Sequence, residues 1–470
     1  MDPPSQVDSQ AGKRSLSDLP TEIKLRIIEC LERLMEKHIS PSARFLKLAL
    51  VDRTFYELCS PSNWKMLDLK NAKNKTFKLL INDILPHQAS KVRSLTVKLE
   101  FSVRDSSRRQ AAANAKPLGL ITDGFEKGRF GEILKLCANL TELKVVLEHH
   151  LDEFDLFNPA PTALHPIAQL TNLTYIHFVN HTEEESFKEE YLVDLIRNMV
   201  HLVHIRLDRI AASFPTCDFC ECPNSVQPVL PPLAVHLASL SSLRFIDFSM
   251  VDSFDWGWSK MEWKGALEGI TLHRNTQLSF RALHRFCSLF QDSLVSLSLC
   301  DVPLSIMGDD PWTKLTDSEL KYVFRLPKLK NLSVYTPYST EFINLFRESS
   351  NITTIHLVAN YQIGPENIKA LIKHESPTWI DLKSLLVQVK QVGKGRFRPA
   401  EIVDLVAYGA HAGIKIKCGS LPEGNRLFTE YQAQFHFGHE WRADEPDDNE
   451  SERPNQGQIR TPRNVLGIML

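Results

Sequence analysis

Three cysteines stand close enough to share a metal ion: Cys217-x-x-Cys220-x-Cys222, with His236 downstream. Three thiolates and an imidazole are a zinc donor set. No second Cys-x-x-Cys follows, however, and the path to His236 runs through Pro228, Pro231 and Pro232. No metal is therefore expected there. His149-His150, followed by Asp152, Glu153 and Asp155, offers donors to a harder cation, but the segment reads as an acidic surface loop. No Gly-rich phosphate loop, nucleophile elbow or His-Glu-x-x-His helix occurs. The expectation is a non-catalytic protein with no cofactor.

Without chemistry to position, the chain must be read for surfaces. It has 470 residues, 43% apolar and 24% charged, with a formal net charge of -2. That balance gives no global field for nucleic acid or an anionic membrane. Residues 1–15 are polar and lack a signal peptide's apolar stretch, and no segment has the length and apolarity of a membrane helix. Nine cysteines, mostly single and in apolar surroundings, point to a reducing compartment, cytoplasm or nucleus.

An amphipathic element opens the ordered chain. In Leu19-Pro20-Thr21-Glu22-Ile23, Asp18 is placed to cap a helix and Pro20 to start it. Ile23, Ile27, Ile28 and Leu31 then share one face. Two further apolar clusters follow, Phe45 to Val51 and Phe55, Leu58 and Trp64. Three short helices in so few residues leave apolar surface for a neighbour.

The pattern Leu19-Pro20-x-Glu22-Ile23…Ile27-Ile28…Leu31…Val51-x-Arg53-x-Phe55…Leu58…Trp64 resembles an F-box. The resemblance spans residues 16–64 and implies docking onto a Skp-type adaptor that joins a cullin and its ubiquitin-transfer machinery. It implies that Leu19, Pro20, Ile23, Ile27, Ile28 and Leu31 face the adaptor, with Val51 and Trp64 completing the interface or the core. Two departures stand out. The segment Glu32 to Arg44 is longer than a compact F-box needs, and Phe55 stands where many members have Trp.

The remainder carries a degenerate repeat, apolar-x-x-apolar-x-x-apolar-x-apolar, closing on a short strand. It reads Cys137/Leu140/Leu143/Val145, Leu170/Leu173/Ile176/Phe178, Met199/Leu202/Ile205/Leu207 and Leu240/Leu243/Ile246/Phe248. Copies follow at Ile270, Leu297, Leu332 and Ile355; Leu95 precedes them, and Leu385 and Ile416 come after. The shorter spacings, about 23 to 29 residues, match leucine-rich-repeat units, and the longer ones require loop insertions. Between strands, Ser186-x-x-Glu189 and Thr316-x-x-Glu319 read as capping boxes, and Pro365 and Pro399 as helix starts. The array resembles the irregular leucine-rich repeats that follow F-boxes in fungal proteins, without their asparagine ladder.

The expected fold class is α/β: a three-helix F-box at 16–70, then a leucine-rich-repeat-like solenoid at 71–442. Parallel strands would line its concave side, with helices outside, between a disordered start at 1–15 and an acidic tail at 443–470. By the strand period, residues flanking each buried marker face the concave surface. Tyr175, His177, His204, Arg206, Phe245 and Asp247 form the strip expected to contact a target protein. The three tryptophans Trp256, Trp258 and Trp263 are expected mainly to cover the core. The function implied is target recognition in a Skp–cullin–F-box ubiquitin ligase. The alternative is an F-box and repeat scaffold without ligase activity.

Overall fold

The computed structural model describes residues 15–35, 47–70, 74–102, 129–150, 164–181, 187–212, 230–275, 278–300, 302, 315, 317–335, 340–359, 363–373, 378–389 and 398–420. The Cys217 to Cys222 loop, Asp152 to Asp155 and the tail from residue 421 lie outside them.

One sheet of 12 strands organises the molecule, and its spatial order is its sequence order. The strands are β1 (Met66–Asp68), β2 (Ser94–Ser102), β3 (Glu142–His150), β4 (Tyr175–Asn180), β5 (His204–Ile210) and β6 (Phe245–Val251). They continue as β7 (Gly269–His273), β8 (Ser296–Cys300), β9 (Asn331–Tyr335), β10 (Thr354–Ala359), β11 (Ser384–Val389) and β12 (Lys415–Ser420). Every pairing is parallel. Parallel neighbours that follow each other in sequence need a crossover between them, so each repeat returns through the helical layer. The result is an α/β solenoid of leucine-rich-repeat type.

Register follows the apolar markers. Leu95, Leu143, Ile176, Ile205 and Ile246 stand side by side, and the row runs on through Ile270, Leu297, Leu332, Ile355, Leu385 and Ile416. All are buried. A register slip of one residue would turn this whole row to the other face. Each fully buried Leu or Ile contributes roughly 1.5–3 kcal/mol of transfer free energy, and the stacked units share one core.

The sheet begins earlier than the expected boundary at residue 70. Leu67 pairs with Leu95, so Met66–Asp68 already belongs to the solenoid. The signal was present as Trp64, Leu67 and Leu69, which fit the repeat template.

The outer layer is uneven. Ser279 caps the helix Phe280–Leu289, its Oγ accepting from the Ala282 amide at 3.2 Å. Pro365–Leu371 and Pro399–His411 start at the two expected prolines. The other two expected starts differ. The helix Glu189–Ile196 has Lys188 at its N-cap rather than Ser186. Glu189 is buried instead, and its Oε2 accepts from the Leu233 amide at 3.3 Å. Residues 317–320 form turns, with no helix at Glu319.

Between β6 and β7 the outer element is only a 3-10 turn, Trp256–Lys260. Aromatic volume fills the space a helix would take. Trp258 is fully buried, 4.7 Å from Phe254 and 5.3 Å from Phe248 between ring centres. Its Nε1 donates to the Ser253 carbonyl at 2.6 Å, which satisfies the polar edge of the indole. Trp263 packs against Phe286 and Phe290.

Candidate interaction surfaces

Concave side chains of β3 to β7 converge because register stacks them. His177 pairs with Arg206, Arg206 with Asp247, and Asp247 with Thr271. Two residues earlier on each strand, Tyr175, His204, Phe245 and Gly269 form a second row. The six residues expected to meet a target are therefore one cluster. Tyr175 and His204 meet edge-on at 4.8 Å, and His204 and Phe245 lie 5.7 Å apart. Arg206 Nε reaches Asp247 Oδ2 at 3.3 Å, with 11% and 16% of the two side chains exposed.

The strip is more enclosed than a solvated sheet face. His177 is buried, and Tyr175, His204, Arg206 and Asp247 are partly so; Phe245 alone is well exposed. Burial lowers the His177 pKa to about 2, with the Arg206 and Lys144 charges adding to it. Burial, then Arg206, lowers that of His204 to about 4. Burial raises Asp247 to about 6, although Arg206 opposes the rise. At neutral pH the strip thus offers neutral imidazoles, a phenol, an exposed phenyl ring and one ion pair. Such a surface recognises shape and hydrogen bonds more than net charge.

A third row, not anticipated as a unit, lies one step further along. Asp208 pairs with Ser249, and Ser249 with His273. Ser249 Oγ sits 3.1 Å from His273 Nδ1, and burial raises the Asp208 pKa while Arg209 and Ser249 oppose the rise. These are the residue types of a catalytic triad in the wrong order. In a triad the imidazole stands between carboxylate and hydroxyl, whereas here Ser249 stands between Asp208 and His273. The row is a buried hydrogen-bond network. The signal for it was Asp208, Ser249 and His273, each three residues after a marker. Among the described residues, no group of three or more His, Cys, Asp or Glu could hold a metal ion.

The N-terminal helices form the second surface. The 3-10 turn Leu16–Asp18 comes first, and Asp18 closes a capping box with Ser15 there rather than capping the following helix, Thr21–Met35. Asp52 caps the helix Arg53–Lys65, accepting from the Phe55 amide at 2.8 Å. Ile28, Phe55 and Cys59 make a small core, with Leu31, Leu48, Val51 and Leu58 packed around it. Lys24 is buried beside this core. It pairs with Asp52 at 2.6 Å and donates to the Ser17 carbonyl at 3.0 Å. The module joins the solenoid where Lys91 Nζ donates to Ser60 Oγ at 2.8 Å.

The residues assigned to an adaptor divide between inside and outside. Ile28 turns inward, and Leu31 and Val51 pack against it, so these three belong to the core. Leu19, Ile27 and Trp64 are half-buried. Pro20 and Ile23 are exposed, joined by Leu25, Leu16 and Tyr56, which the motif reading did not include. Ile23 and Leu25 each keep 43% exposure. Large apolar groups left in water on so small a module favour contact with a partner.

Among the described residues, no helix is long and apolar enough to cross a membrane. No family model and no curated protein matches the chain. Among solved structures it is similar to an internalin (InlF) from Listeria monocytogenes, at 14% identity and TM-score 0.28, over 62% of this chain and 70% of that one. It is also similar to the Rad7 and Elc1 complex in yeast, at 13% identity and TM-score 0.38, over 84% of this chain and 92% of that one. At such identities and scores neither likeness carries a function to this chain.

Proposed function

We propose that the chain is a target-recognition subunit of a ubiquitin ligase, with an F-box that docks a Skp-type adaptor and, through it, a cullin. The concave strip from Tyr175 to Asp247 holds the target protein. The chain itself catalyses nothing: it supplies proximity, which raises the effective concentration of the target at the transfer centre. The observation that carries the reading is the exposed apolar set Ile23, Leu25, Leu16 and Tyr56 on a module whose small core is already filled.

The test is recovery of the intact chain from cells beside an Ile23→Asp/Leu25→Asp variant. The variant should keep its fold by circular dichroism and lose adaptor and cullin together. Equal recovery of the adaptor with both chains would leave the module as a cap of the solenoid. Alanine at His177, Arg206 and Asp247 should release the target while retaining the adaptor; target retained at wild-type level would move the recognition surface elsewhere.

A further inference from the structure

The last described strand, β12, has one edge that no other described strand covers. Lys415 N–H donates to the Lys383 carbonyl at 2.9 Å, so Lys415 and Lys417 turn their backbone groups toward β11. Strand geometry then points those of Ile416 and Cys418 the other way, toward the open edge. Open backbone groups at the end of a stacked array invite pairing with another strand.

The helix that precedes this strand is uncovered at the same end. Asp404 of Pro399–His411 accepts from Lys369 Nζ at 2.5 Å, which marks the flank facing the preceding repeat. Ile402, Val406 and Ala410, spaced four residues apart, share the opposite flank. Val406 is 39% exposed, and Val403 beside them 61%. Gly409, without a side chain, lets the helix rest directly on Ile416. An open sheet edge and an apolar helix flank therefore adjoin, and one further stretch of chain can cover both.

The sequence beyond residue 420 has the pattern for it. Leu427, Thr429, Tyr431, Ala433, Phe435 and Phe437 alternate with a mainly polar set that includes Glu430, Gln432 and Gln434. That period of two belongs to a strand with one apolar face. Pro422-Glu423-Gly424-Asn425 is a turn sequence, and only six residues separate Ser420 from Leu427. Six are too few for a parallel crossover, so the strand must return antiparallel. An antiparallel strand at the edge of a parallel sheet is a common arrangement. Matching the apolar faces sets Tyr431 opposite Ile416 and Thr429 opposite Cys418, which brings Glu430 beside Lys417. Lysines on an edge deter a stray strand, and a strand carrying a carboxylate at that place meets no such obstacle.

We propose that residues 427–437 of this chain add an antiparallel strand to β12 and close the solenoid, with Phe435 and Phe437 running toward the flank of Ile402, Val406 and Ala410. The closure is independent of the ligase reading, since it involves neither the adaptor surface nor the concave strip.

The test is hydrogen exchange of the full chain, read amide by amide by mass spectrometry. In the antiparallel pairing the amides of Ile416, Cys418, Thr429 and Tyr431 point into the new ladder and should exchange at least about tenfold more slowly than in a free peptide. Those of Glu430 and Gln432 point away and should not. A Phe435→Asp/Phe437→Asp variant should return the first set to the free-peptide rate, with the amides of Ile246 and Leu297 still protected in the middle of the sheet. Val406→Asp, at a position where a charge is nearly neutral if water surrounds it, should also speed exchange at Tyr431. Free-peptide rates at Thr429 and Tyr431 in the native chain would overturn the proposal, and that result decides the matter even if the double variant fails to fold. Slow exchange at Glu430 and Gln432 in their place would overturn it as well, because it marks a parallel neighbour. So would protection that disappears as a dimer dissociates on dilution in sedimentation, which would assign the edge to a second copy.

Discussion

At the scale of single residues, glycine and one ion pair shape the concave strip. A Cβ at Gly269 would lie 2.6 Å from Phe245 Cδ1, so the exposed phenyl ring rests on the bare backbone of the next strand. Gly269→Ala should push that ring away with little loss of stability, because the obstacle is a side chain able to rotate. Target affinity should fall about tenfold, the scale of 1.4 kcal/mol, read by titration of the recovered target. The Arg206–Asp247 pair behaves differently. Arg206→Met would strand the Asp247 carboxylate in an enclosed site and should cost about 3 kcal/mol in denaturant unfolding. Adding Asp247→Leu removes the stranded charge, and the double variant should return to within about 1 kcal/mol of the native chain. A double variant no better than the single one would mean that packing, not charge, dominates there. His177, Arg206 and Asp247 were legible as strip residues from the marker positions alone. Their mutual burial was not, since it depends on how closely neighbouring strands bring their side chains.

Elements show where regularity is kept and where it fails. Arg209, Met250 and Arg274 all have positive φ, at 59°, 52° and 49°. Each directly follows one of the stacked residues Asp208, Ser249 and His273, so three successive repeats take the same left-handed step there, within β5 and β6 and at the end of β7. Such a conformation costs a non-glycine residue about 1–2 kcal/mol, and the neighbouring contacts must hold it. Asparagine supplies some of them. Asn180 Nδ2 donates to the Arg209 carbonyl at 3.1 Å. Asn275 Oδ1 accepts from the Val251 amide at 2.9 Å, and its Nδ2 donates to the Phe248 carbonyl at 3.3 Å. Asn180 and Asn275 stand at different places in their repeats, four residues after Ile176 and five after Ile270, and each ties its repeat to a neighbour. Asn275→Ala would leave buried backbone groups unpaired and should destabilise by about 2 kcal/mol, measured by urea unfolding. The Thr316–Glu319 pattern fails for a local reason. The chain after it supplies rings, not a helix: Phe324 stacks on Phe346 at 4.4 Å, and Tyr322 lies 5.7 Å from Phe280.

Over the whole molecule, buried histidines set the response to acid. His177, His204 and His356 have pKa values lowered to about 2, 4 and 4, chiefly by burial, against 6.5 for the ordinary side chain. The unfolded chain therefore binds more protons than the folded one below pH 6.5. Stability from these groups is complete above that value and is lost as pH falls through it toward the folded values. Asp247 acts in the opposite sense, since its pKa is raised from 3.8 to about 6 and its burial cost is relieved on protonation. Among the described residues His236 is lowered as well, and Asp208 is raised like Asp247, both by burial first, so four histidines outweigh two carboxylates and Tm should fall between about pH 7 and about pH 5. His177→Gln should make that decline shallower in calorimetry. An unchanged slope would show that His177 takes up its proton without disturbing the fold.

The apolar period alone determined the solenoid. Buried positions must recur wherever a strand meets the core, and a stacked sheet preserves that recurrence whatever the loop lengths between copies. It also determined which residues flank each marker, because side chains alternate along a strand. What the period could not reveal is contact between residues far apart in the chain. Ile28 turns inward because Phe55 and Cys59 lie beneath it, which helical spacing alone does not say. The row Asp208–Ser249–His273 and the rings around Trp258 likewise exist only once separate repeats are stacked. Their geometry depends on strand register and on the 3-10 turn that replaces a helix, and both are settled by packing.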